Sequence, residues 1–481
     1  MCLTRTRPQV CPTRTRPQVC PTRTTVRSAL ALVALACVPV TLACGATPAS
    51  LDPDASTTAD ASAPDGAAPA PDASGDASAD SGPKPDCSRA AQARTAPVAL
   101  WDALQVDLAK LQGAARQARV DAFLADVTAA GGAPLEDPKA DRVVFLAKGP
   151  GPLGAWSVAG AFTGWKGAAR PLAAVAGTDL WALETTMPHG AAQPYKLLSG
   201  TTDAGFLEDP LAKNVWWDGI DHHDVGAFNA IVHATDGDAS KGRVVRWANV
   251  TSQKLPEGPR DVFVYLPARY DDGSCEALPL AVFHDGNESL TRSDFAGAAD
   301  ALYAQRPELS AVLVFVALPS QSLRTDEYTF NTQTAKAPAY VAMLADELVP
   351  RVRGALHVCA TQAATGVSGA SLGGLVSSFA AFERADVFGW VGSQSGSYWW
   401  DNESLVLRAK SSGKLAVRFY LDHGCPDDNC ASNRDMNDAL VQKGYDVAHV
   451  EQPNAQHDWS YWRARFPGMM ETFRKGHAGC Q

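Results

Sequence analysis

The residues from about 240 onwards alternate between short apolar runs of β-strand composition and stretches of helix-forming residues. The apolar runs lie at 262–267, 278–286, 311–319, 415–424 and 445–452, and helical stretches such as 339–353 and 433–443 lie between them. Strands that are apolar along their whole length and are separated by helices are typical of a parallel sheet that helices cover on both faces. The sequence therefore predicts an α/β domain over residues 239–481.

The region before this domain has two segments of different amino-acid composition. Residues 98–131 are rich in helix formers and carry apolar residues at roughly helical spacing. They predict one or two amphipathic helices, ending at Gly131-Gly132, within a helical segment over 87–140. Residues 141–238 instead contain short β-type runs broken by Gly, Pro and Asp. The close spacing of these runs predicts a small antiparallel β-sandwich.

The first 43 residues divide into a repeated polar stretch and an apolar run. The segment TRTRPQVCP occurs at 4–12 and again at 13–21, with no hydrophobic pattern that could fold. We interpret it as a mis-assigned start, with Val26 as the true initiator. The positive residue and short apolar run over 27–43 are typical of an export signal.

Cys44 ends the apolar run in the sequence Thr-Leu-Ala-Cys-Gly, which is similar to the acylation site of bacterial lipoproteins. A lipid on Cys44 would tether the chain to a membrane, whereas cleavage near Ala43 would release a soluble exported protein. Residues 44–86 are almost wholly Ala, Asp, Pro, Ser, Gly and Thr, a composition that predicts a disordered linker. We expect a lipoprotein of the bacterial outer membrane or periplasm, or else a secreted protein.

Charge and cysteine usage argue against two classes of function. A net charge of -10 and a pI near 5.5 provide no basic stripe for nucleic acid. The cysteines after the linker are Cys87, Cys275, Cys359, Cys425, Cys430 and Cys480. An even number in an exported protein predicts disulfides rather than metal ligation. No pair of them has C-x₂-C spacing, and Asp221-His-His-Asp224 has no partner ligand at a defined spacing, so we expect neither a metal nor another cofactor.

The segment Gly369-Ala-Ser371-Leu-Gly373 fits the G-x-S-x-G pattern of a nucleophile elbow. It lies between a short strand expected at 361–368 and a helix expected at 375–383. This position is the carboxyl end of a strand, where open α/β sheets bind their ligands. The small flanking residues permit a tight turn and a close approach of substrate. Ser371 is therefore the candidate nucleophile.

A serine hydroxyl needs a general base within hydrogen-bond reach. His457 follows the last expected strand in a polar loop at the same end of the sheet. His449 lies within that strand and His477 lies in the C-terminal tail. Position therefore favours His457 as the base, the alternative being an ordinary surface histidine.

The acid that orients this histidine is expected in the loop after the strand at 415–422. Asp427 and Asp428 both lie there, between Cys425 and Cys430, which could close the loop as a disulfide ring. We prefer Asp427 and keep Asp428 as the alternative.

Ester hydrolysis also requires backbone N–H groups aimed at the developing oxyanion. Leu372, the residue after the nucleophile, supplies one of them. Asn287, in the turn His284-Asp-Gly-Asn287 after an early strand, is the candidate for the other. The place of His284 before this turn favours a shaping role for its side chain.

Residues 240–475 resemble the family of esterases that includes the enterochelin (enterobactin) esterases. The matching stretches are His284-Asp-Gly, 323–331, 345–352, 369–375, 388–400 and 456–463. Residues 158–165, with 195–198 and 208–210, are similar to the early-set, Ig-like domain that precedes the hydrolase in those enzymes. The resemblance implies an α/β-hydrolase domain behind a small early-set β-sandwich.

The same resemblance implies roles for individual residues. It implies Ser371 as nucleophile and His457 as base. It also implies substrate-binding or shaping roles for Arg324, Glu327, Trp399 and Arg463.

A disulfide scheme follows from the sheet order of an α/β-hydrolase, in which the strands at 278–284 and 361–368 are neighbours. Because Cys275 and Cys359 precede these two strands, we expect them to pair. Cys87 is then left to pair with Cys480.

The sequence thus predicts a serine esterase that acts on a small-molecule or glycan ester. The resemblance favours a siderophore trilactone. The export signal favours an acyl or feruloyl ester on polysaccharide, as do four tryptophans that could stack sugar rings or merely fill the sandwich: Trp165, Trp181, Trp216 and Trp217. A further reading is a non-catalytic glycan-binding surface protein whose hydrolase domain has lost activity.

Overall fold

The computed structural model describes residues 95–475 and Cys480, except residues 138, 152, 167–169, 189–191, 201–204, 221–226, 234–240 and 272–274. The export signal, the linker at 44–86, Cys87, the Asp221–Asp224 segment and His477 lie outside the described residues. The expectations for them remain predictions.

The helices and strands are as follows. The helices are Ala99–Leu108 (α1), Ala114–Ala130 (α2), Gly286–Thr291 (α3), Phe295–Gln305 (α4), Arg324–Tyr328 (α5), Ala337–Ala342 (α6), Val349–Ala355 (α7), Leu372–Glu383 (α8), Trp400–Ser411 (α9), Cys430–Gln442 (α10) and Trp459–Arg474 (α11). The strands are Leu135–Asp137 (β1), Arg142–Lys148 (β2), Trp156–Gly160 (β3), Ala173–Ala174 (β4), Leu180–Thr186 (β5), Gln193–Ser199 (β6), Phe206–Leu207 (β7), Asn214–Trp217 (β8), Phe228–Val232 (β9), Arg243–Val250 (β10), Arg260–Leu266 (β11), Leu280–Phe283 (β12), Val312–Val316 (β13), Thr365–Ala370 (β14), Trp390–Gln394 (β15), Arg418–Cys425 (β16) and Asp446–Pro453 (β17).

The C-terminal part is a mostly parallel sheet. Strands β12 to β17 run parallel in the spatial order β17-β16-β15-β14-β12-β13, and β11 and β10 continue the sheet in antiparallel fashion. Every residue of β12, β13 and β14 is buried. One hydrophobic cluster includes residues of α6, α7, α8 and α10, and a second includes residues of α4 and α11. These strands are thus apolar along their whole length because helices cover the sheet, as expected. The α/β fold class is confirmed.

One of these strands escapes the sequence pattern. Strand β15, Trp-Val-Gly-Ser-Gln, is fully buried between two parallel neighbours although its last residues are polar. Gln394, at its end, donates its side-chain N–H to Asp422 (3.0 Å) and to the carbonyl of Trp462 (2.9 Å). Because hydrogen bonds replace water at this position, the strand does not need the apolar composition by which the others are recognised.

The N-terminal part has three layers. One sheet has the order β1-β2-β5-β4, and alternate residues of β2 face opposite sides. Val144 and Leu146 pack against α1 and α2, whereas Val143 and Phe145 pack against β3, β6 and β9 of the second sheet. The helices expected over 98–131 are therefore two, separated at Gly113 (φ 53°) and closed at Gly131 (φ 131°), and they cover the outer face of a sandwich.

The second sheet of the sandwich is continuous with the parallel sheet. Strand β8 pairs with both β9 and β10, and β10 pairs with β11. Trp216 and Trp217 in β8 are half-buried and pack against the second cluster of the parallel sheet. This contact favours the packing interpretation of these two tryptophans over a sugar-stacking one.

The predicted disulfide scheme is wrong in two of its pairs. Cys359 bonds to Cys480, and Cys425 bonds to Cys430 as expected. The segment before β12 does lie beside Cys359, whose N–H donates to Leu278 O (2.9 Å). The chain after α11, however, returns to the same place, where the Cys480 sulfur lies 2.7 Å from Ala277 O. Cys275 is also disulfide-bonded.

Candidate active site

Ser371 occupies a strained turn between β14 and α8. Its backbone has φ 61° and ψ -121°, a conformation that non-glycine residues rarely adopt and that costs about 1–3 kcal/mol. Its N–H donates to Gln394 O (2.9 Å), and its carbonyl accepts from Ser397 N–H (3.0 Å). The end of β15 and the segment after it therefore hold the turn from both sides and stabilise the strained backbone. This is the strand–turn–helix context that a nucleophile elbow requires.

The glycines on either side of Ser371 are closely packed, and the contact at Gly369 excludes a side chain. A Cβ on Gly369 would lie 2.9 Å from the carbonyl carbon of Gly373. A Cβ on Gly373 would lie 3.3 Å from Asp285 Oδ2 and 3.5 Å from His284 Cβ. Both glycines of the motif thus allow the elbow to close and the turn after β12 to lie against it.

The turn after β12 contains the second expected oxyanion donor. His284 N–H donates to Ser368 O (2.9 Å), which fixes the turn beside β14. A Cβ on Gly286 would lie 2.7 Å from Ala317 N, so only glycine fits there. Asn287 lies in the first turn of α3 and Leu372 in the first turn of α8. Both amides thus belong to helix N-termini, the kind of position at which backbone N–H groups stabilise an anion.

Arg324 joins these two turns. Its Nε and Nη2 donate to Asp285 Oδ1 and Oδ2, each at 2.7 Å, and Nη2 also approaches Ala370 O at 3.3 Å. Asp285 is buried, so this bidentate pair is shielded from water. Arg324 thus occupies a shaping position directly behind the nucleophile.

His284 is fully buried and approaches the Tyr340 hydroxyl through Nδ1 (2.9 Å). Burial, with a smaller contribution from Arg324, lowers the pKa of His284 to about 3. The ring is therefore neutral at physiological pH. A neutral, enclosed ring fits the expected shaping role.

Asp428 is the carboxylate that lies against His457. His457 Nδ1 is 2.6 Å from Asp428 Oδ1. The other oxygen, Oδ2, accepts from Ser395 Oγ (2.6 Å) and from Gly424 N–H (2.7 Å). Burial alone would raise the pKa of Asp428, but the hydrogen bonds from His457, Ser395 and Gly424 outweigh it and hold that pKa below its ordinary value.

From the sequence we preferred Asp427 as the acid that orients His457, but in the structure Asp428 contacts this histidine. Asp427 is exposed, whereas Asp428 is fully buried. The Cys425–Cys430 ring and the Gly424–Asp428 bridge turn the second aspartate inward. Two adjacent aspartates in a polar loop are indistinguishable by composition, so only the path of the ring separates them.

Sequence reasoning assigned no role to Ser395 and Trp462, which support Asp428. Trp462 Nε1 donates to Ser395 Oγ (2.9 Å), which in turn donates to the carboxylate. Trp462 also packs edge-on against the His457 ring, with centroids 5.0 Å apart. Both residues lie in stretches that carry the family resemblance, and that was the available signal.

The nucleophile and the His–Asp pair lie at the same edge of the sheet. Within the described residues, Ser371 Oγ shares its hydrogen bond with Ser397 Oγ (3.3 Å) and not with His457. Ser397 follows Ser395 by two residues, and Ser395 contacts Asp428. The His457 side chain is 37% exposed. In the described residues His457 is thus hydrogen-bonded to Asp428, whereas Ser371 is not hydrogen-bonded to His457.

The four residues implied for substrate binding or shaping differ in their surroundings. Glu327 is fully buried and bound at both oxygens by Arg260 (2.9 and 3.1 Å), which favours the shaping role over substrate binding. Arg463 binds Asp294 Oδ2 (2.7 Å) ahead of α4. Trp399 is 51% exposed and donates to Asn429 Oδ1 (3.1 Å), beside the loop that carries Asp428. The Trp399 side chain is therefore accessible to solvent beside this loop.

The C-terminal domain has recognisable relatives. Residues 252–473 match the family model described as "Putative esterase". The uncharacterized protein YbbA of Bacillus subtilis is 25% identical over 237 residues, which cover 44% of this chain and 92% of that protein. The Iron(III) enterobactin esterase of Dickeya dadantii is 26% identical over 255 residues, which cover 49% of this chain and 55% of that protein.

The chain spans about half the length of the enterobactin esterases that it matches. A crystal structure of the enterobactin esterase from Shigella flexneri in the presence of enterobactin is 19% identical, with a TM-score of 0.42, and covers 69% of this chain and 92% of that chain. The sequence matches bear out the predicted enzyme class, a carboxylic ester hydrolase. Residues 252–473 thus match the esterase family model and are similar to the enterobactin esterases.

Proposed function

We propose that the protein is a serine esterase in which Ser371 is the nucleophile, His457 the general base and Asp428 the orienting acid. The observation that carries the proposal is the His457 Nδ1–Asp428 Oδ1 contact of 2.6 Å at the edge of the sheet where the strained Ser371 turn lies. An acceptor on Nδ1 keeps that nitrogen protonated. The Nε2 lone pair is then available for the serine proton.

The reaction follows from this arrangement. His457 Nε2 removes the hydroxyl proton as Ser371 Oγ attacks the ester carbonyl, and the amides of Leu372 and Asn287 stabilise the oxyanion. The imidazolium then protonates the leaving alcohol. A water molecule, activated by the same histidine, releases the acyl group. The Ser371–His457 hydrogen bond forms when substrate enters, as catalytic contacts often tighten only in the complex.

We further propose a siderophore-type trilactone as substrate. The name of the Dickeya dadantii relative, an Iron(III) enterobactin esterase, supports this choice. The half-exposed ring of Trp399, beside the Asp428 loop, supports an aromatic substituent on the acyl group. An aryl or feruloyl ester of a polysaccharide is the alternative that the experiment must separate.

The test compares residues 87–481 with a Ser371→Ala variant on an iron-loaded catecholate trilactone, a feruloylated oligosaccharide and a simple aryl ester. Mass spectrometry of the products identifies the bond that is cut. We expect the trilactone to open with the wild type and not with the variant. Cleavage of only the feruloyl or aryl ester would refute the trilactone and keep the catalytic assignment. If no ester is cut, the catalytic assignment is refuted for these substrates and the non-catalytic alternative is favoured.

We also propose that the chain is exported and anchored by a lipid on Cys44. The disulfides Cys359–Cys480 and Cys425–Cys430 support an oxidising compartment. Of the described helices, none is both long and apolar enough to cross a membrane. Metabolic labelling with a fatty-acid analogue should mark the wild type and not a Cys44→Ser variant, and equal labelling of both would contradict the anchor.

A further inference from the structure

Two histidines lie against each other at the open edge of the parallel sheet. His423 is in β16 and His449 is in β17, and their Nε2 atoms are 2.9 Å apart. Glu451, two residues after His449 on the same strand, places Oε2 3.9 Å from His423 Nε2. In the register of the two strands, His423 lies directly beside Glu451. Two imidazoles and a carboxylate thus converge outside the proposed active site.

The tautomer of His423 is fixed by its surroundings. Its Nδ1 lies 3.0 Å from Gly424 O, and a carbonyl can only accept, so Nδ1 carries the proton and donates. The lone pair is therefore on Nε2, the atom that faces His449 and Glu451. A backbone carbonyl on the far nitrogen is the usual support of a metal-binding histidine. His423 is fully buried, so this orientation is held by packing as well.

The distances are close to those of a tetrahedral metal site. With metal–nitrogen bonds near 2.0–2.1 Å, two ligand atoms on a tetrahedral ion are about 3.3 Å apart. The observed separations of 2.9 and 3.9 Å lie on either side of this value. His449 and Glu451 are more exposed than His423, so their side chains are the ones that would rotate to reach it. Without an ion, His449 Nε2–H donates to His423.

We propose that His423, His449 and Glu451 bind a divalent transition-metal ion of the class that prefers imidazole, such as Zn²⁺, with water in the fourth position. The sulfurs of Cys425 and Cys430 cluster with His423 and Glu451, but their disulfide removes the thiolates that would bind a metal. Glu451 is 32% exposed, which gives the ion access from solvent.

Arg434 opposes this site and provides a directional test. Its Nε and Nη2 donate to the two oxygens of Glu451, at 2.7 and 2.6 Å. The guanidinium therefore competes with a metal ion for the carboxylate and repels its charge. Removing Arg434 should strengthen metal binding, an effect that a purely structural hydrogen-bond cluster would not produce.

The site is coupled to the loop that carries Asp428. His423 precedes Gly424, whose N–H donates to Asp428 Oδ2 (2.7 Å). A bound ion would tie β17 to the base of this loop and stabilise the folded state by mass action. The inference does not depend on the esterase proposal, because its tests measure binding and stability rather than turnover.

The experiment uses untagged full-length protein with its disulfides intact. Isothermal titration with Zn²⁺ and electron paramagnetic resonance with Cu²⁺ are applied to the wild type, His449→Gln, Arg434→Gln and the control His222→Gln/His223→Gln. We expect one site per chain with hyperfine structure from two imidazole nitrogens. Zn²⁺ at about 100 times Kd should raise Tm by roughly 3–5 °C.

The variants distinguish this site from others. His449→Gln should weaken binding by at least about tenfold and leave one coupled nitrogen, while Arg434→Gln should tighten it and the control should bind like the wild type. Absence of binding to the wild type overturns the proposal. Loss of binding in the control alone, or weaker binding in Arg434→Gln, also overturns it. Tm without metal confirms that each variant is folded.

Discussion

Replacing Asp428 by Asn tests which carboxylate orients His457. The Asp428 side chain accepts from His457 at Oδ1 and from Ser395 and Gly424 at Oδ2. An amide has a single acceptor oxygen. If that oxygen stays with Ser395 and Gly424, the NH₂ group faces His457 Nδ1, which must then give up its proton. The imidazole is left with its proton on Nε2, where it cannot accept the proton of Ser371.

The expected loss is large. A wrong tautomer with unchanged geometry lowers kcat by about 10⁴-fold, which corresponds to about 5.5 kcal/mol of transition-state stabilisation. The loss of hydrogen bonds to a buried carboxylate should cost the fold only about 1–3 kcal/mol. The variant is therefore expected to remain folded while losing nearly all of its activity.

Asp427→Asn is the matched control, since it makes the same chemical change one residue away on an exposed side chain. Hydrolysis of an aryl ester is followed for both variants, with Tm as the check on folding. We expect the Asp427 variant to keep its activity within about twofold, as surface substitutions usually do. A folded Asp428 variant with wild-type kcat, or a collapse of activity in the Asp427 variant, would refute the assignment.

Two further predictions concern the turn behind the nucleophile. His284 has a folded pKa of about 3 against an unfolded value near 6.5. Below pH 6.5 only the unfolded chain takes up this proton, so the free energy of unfolding decreases as the pH is lowered. Between pH 6.5 and 5, urea titrations should show the wild type losing about 2 kcal/mol relative to His284→Gln, and a pH-independent difference would contradict the burial argument. Arg324→Met should destabilise the fold by about 3–5 kcal/mol and lower kcat by about 100-fold, because Asp285 is left buried and unpaired. Adding Asp285→Asn should recover much of the stability, and a double variant no more stable than the single one would disprove the pairing.

The sequence was informative where one physical requirement dominates a residue's choice. Strands β12 and β13 must be apolar along their whole length, so the α/β sheet could be recognised from composition alone. Gly369 is fixed by a backbone contact that tolerates no side chain and Gly373 by tight packing against Asp285, so the elbow could be placed from its spacing.

The sequence was uninformative where a residue's role depends on distant partners. The choice of Asp428 over Asp427 depends on the path of the six-residue ring from Cys425 to Cys430. The pairing of Cys359 with Cys480 depends on where the chain runs after α11. Strand β15 is stabilised by side-chain hydrogen bonds to Asp422 and to the backbone of Trp462, which no local pattern contains.

The central claim is that Ser371 is the nucleophile, and covalent labelling tests it most directly. Wild-type protein, Ser371→Ala and Ser397→Ala are treated with a fluorophosphonate, and the modified peptide is identified by mass spectrometry. Ser397 is the matched control because its hydroxyl lies 3.3 Å from that of Ser371. We expect one adduct, on Ser371, in the wild type and in Ser397→Ala, and none in Ser371→Ala. An adduct on Ser397, or stoichiometric labelling of Ser371→Ala, would contradict it.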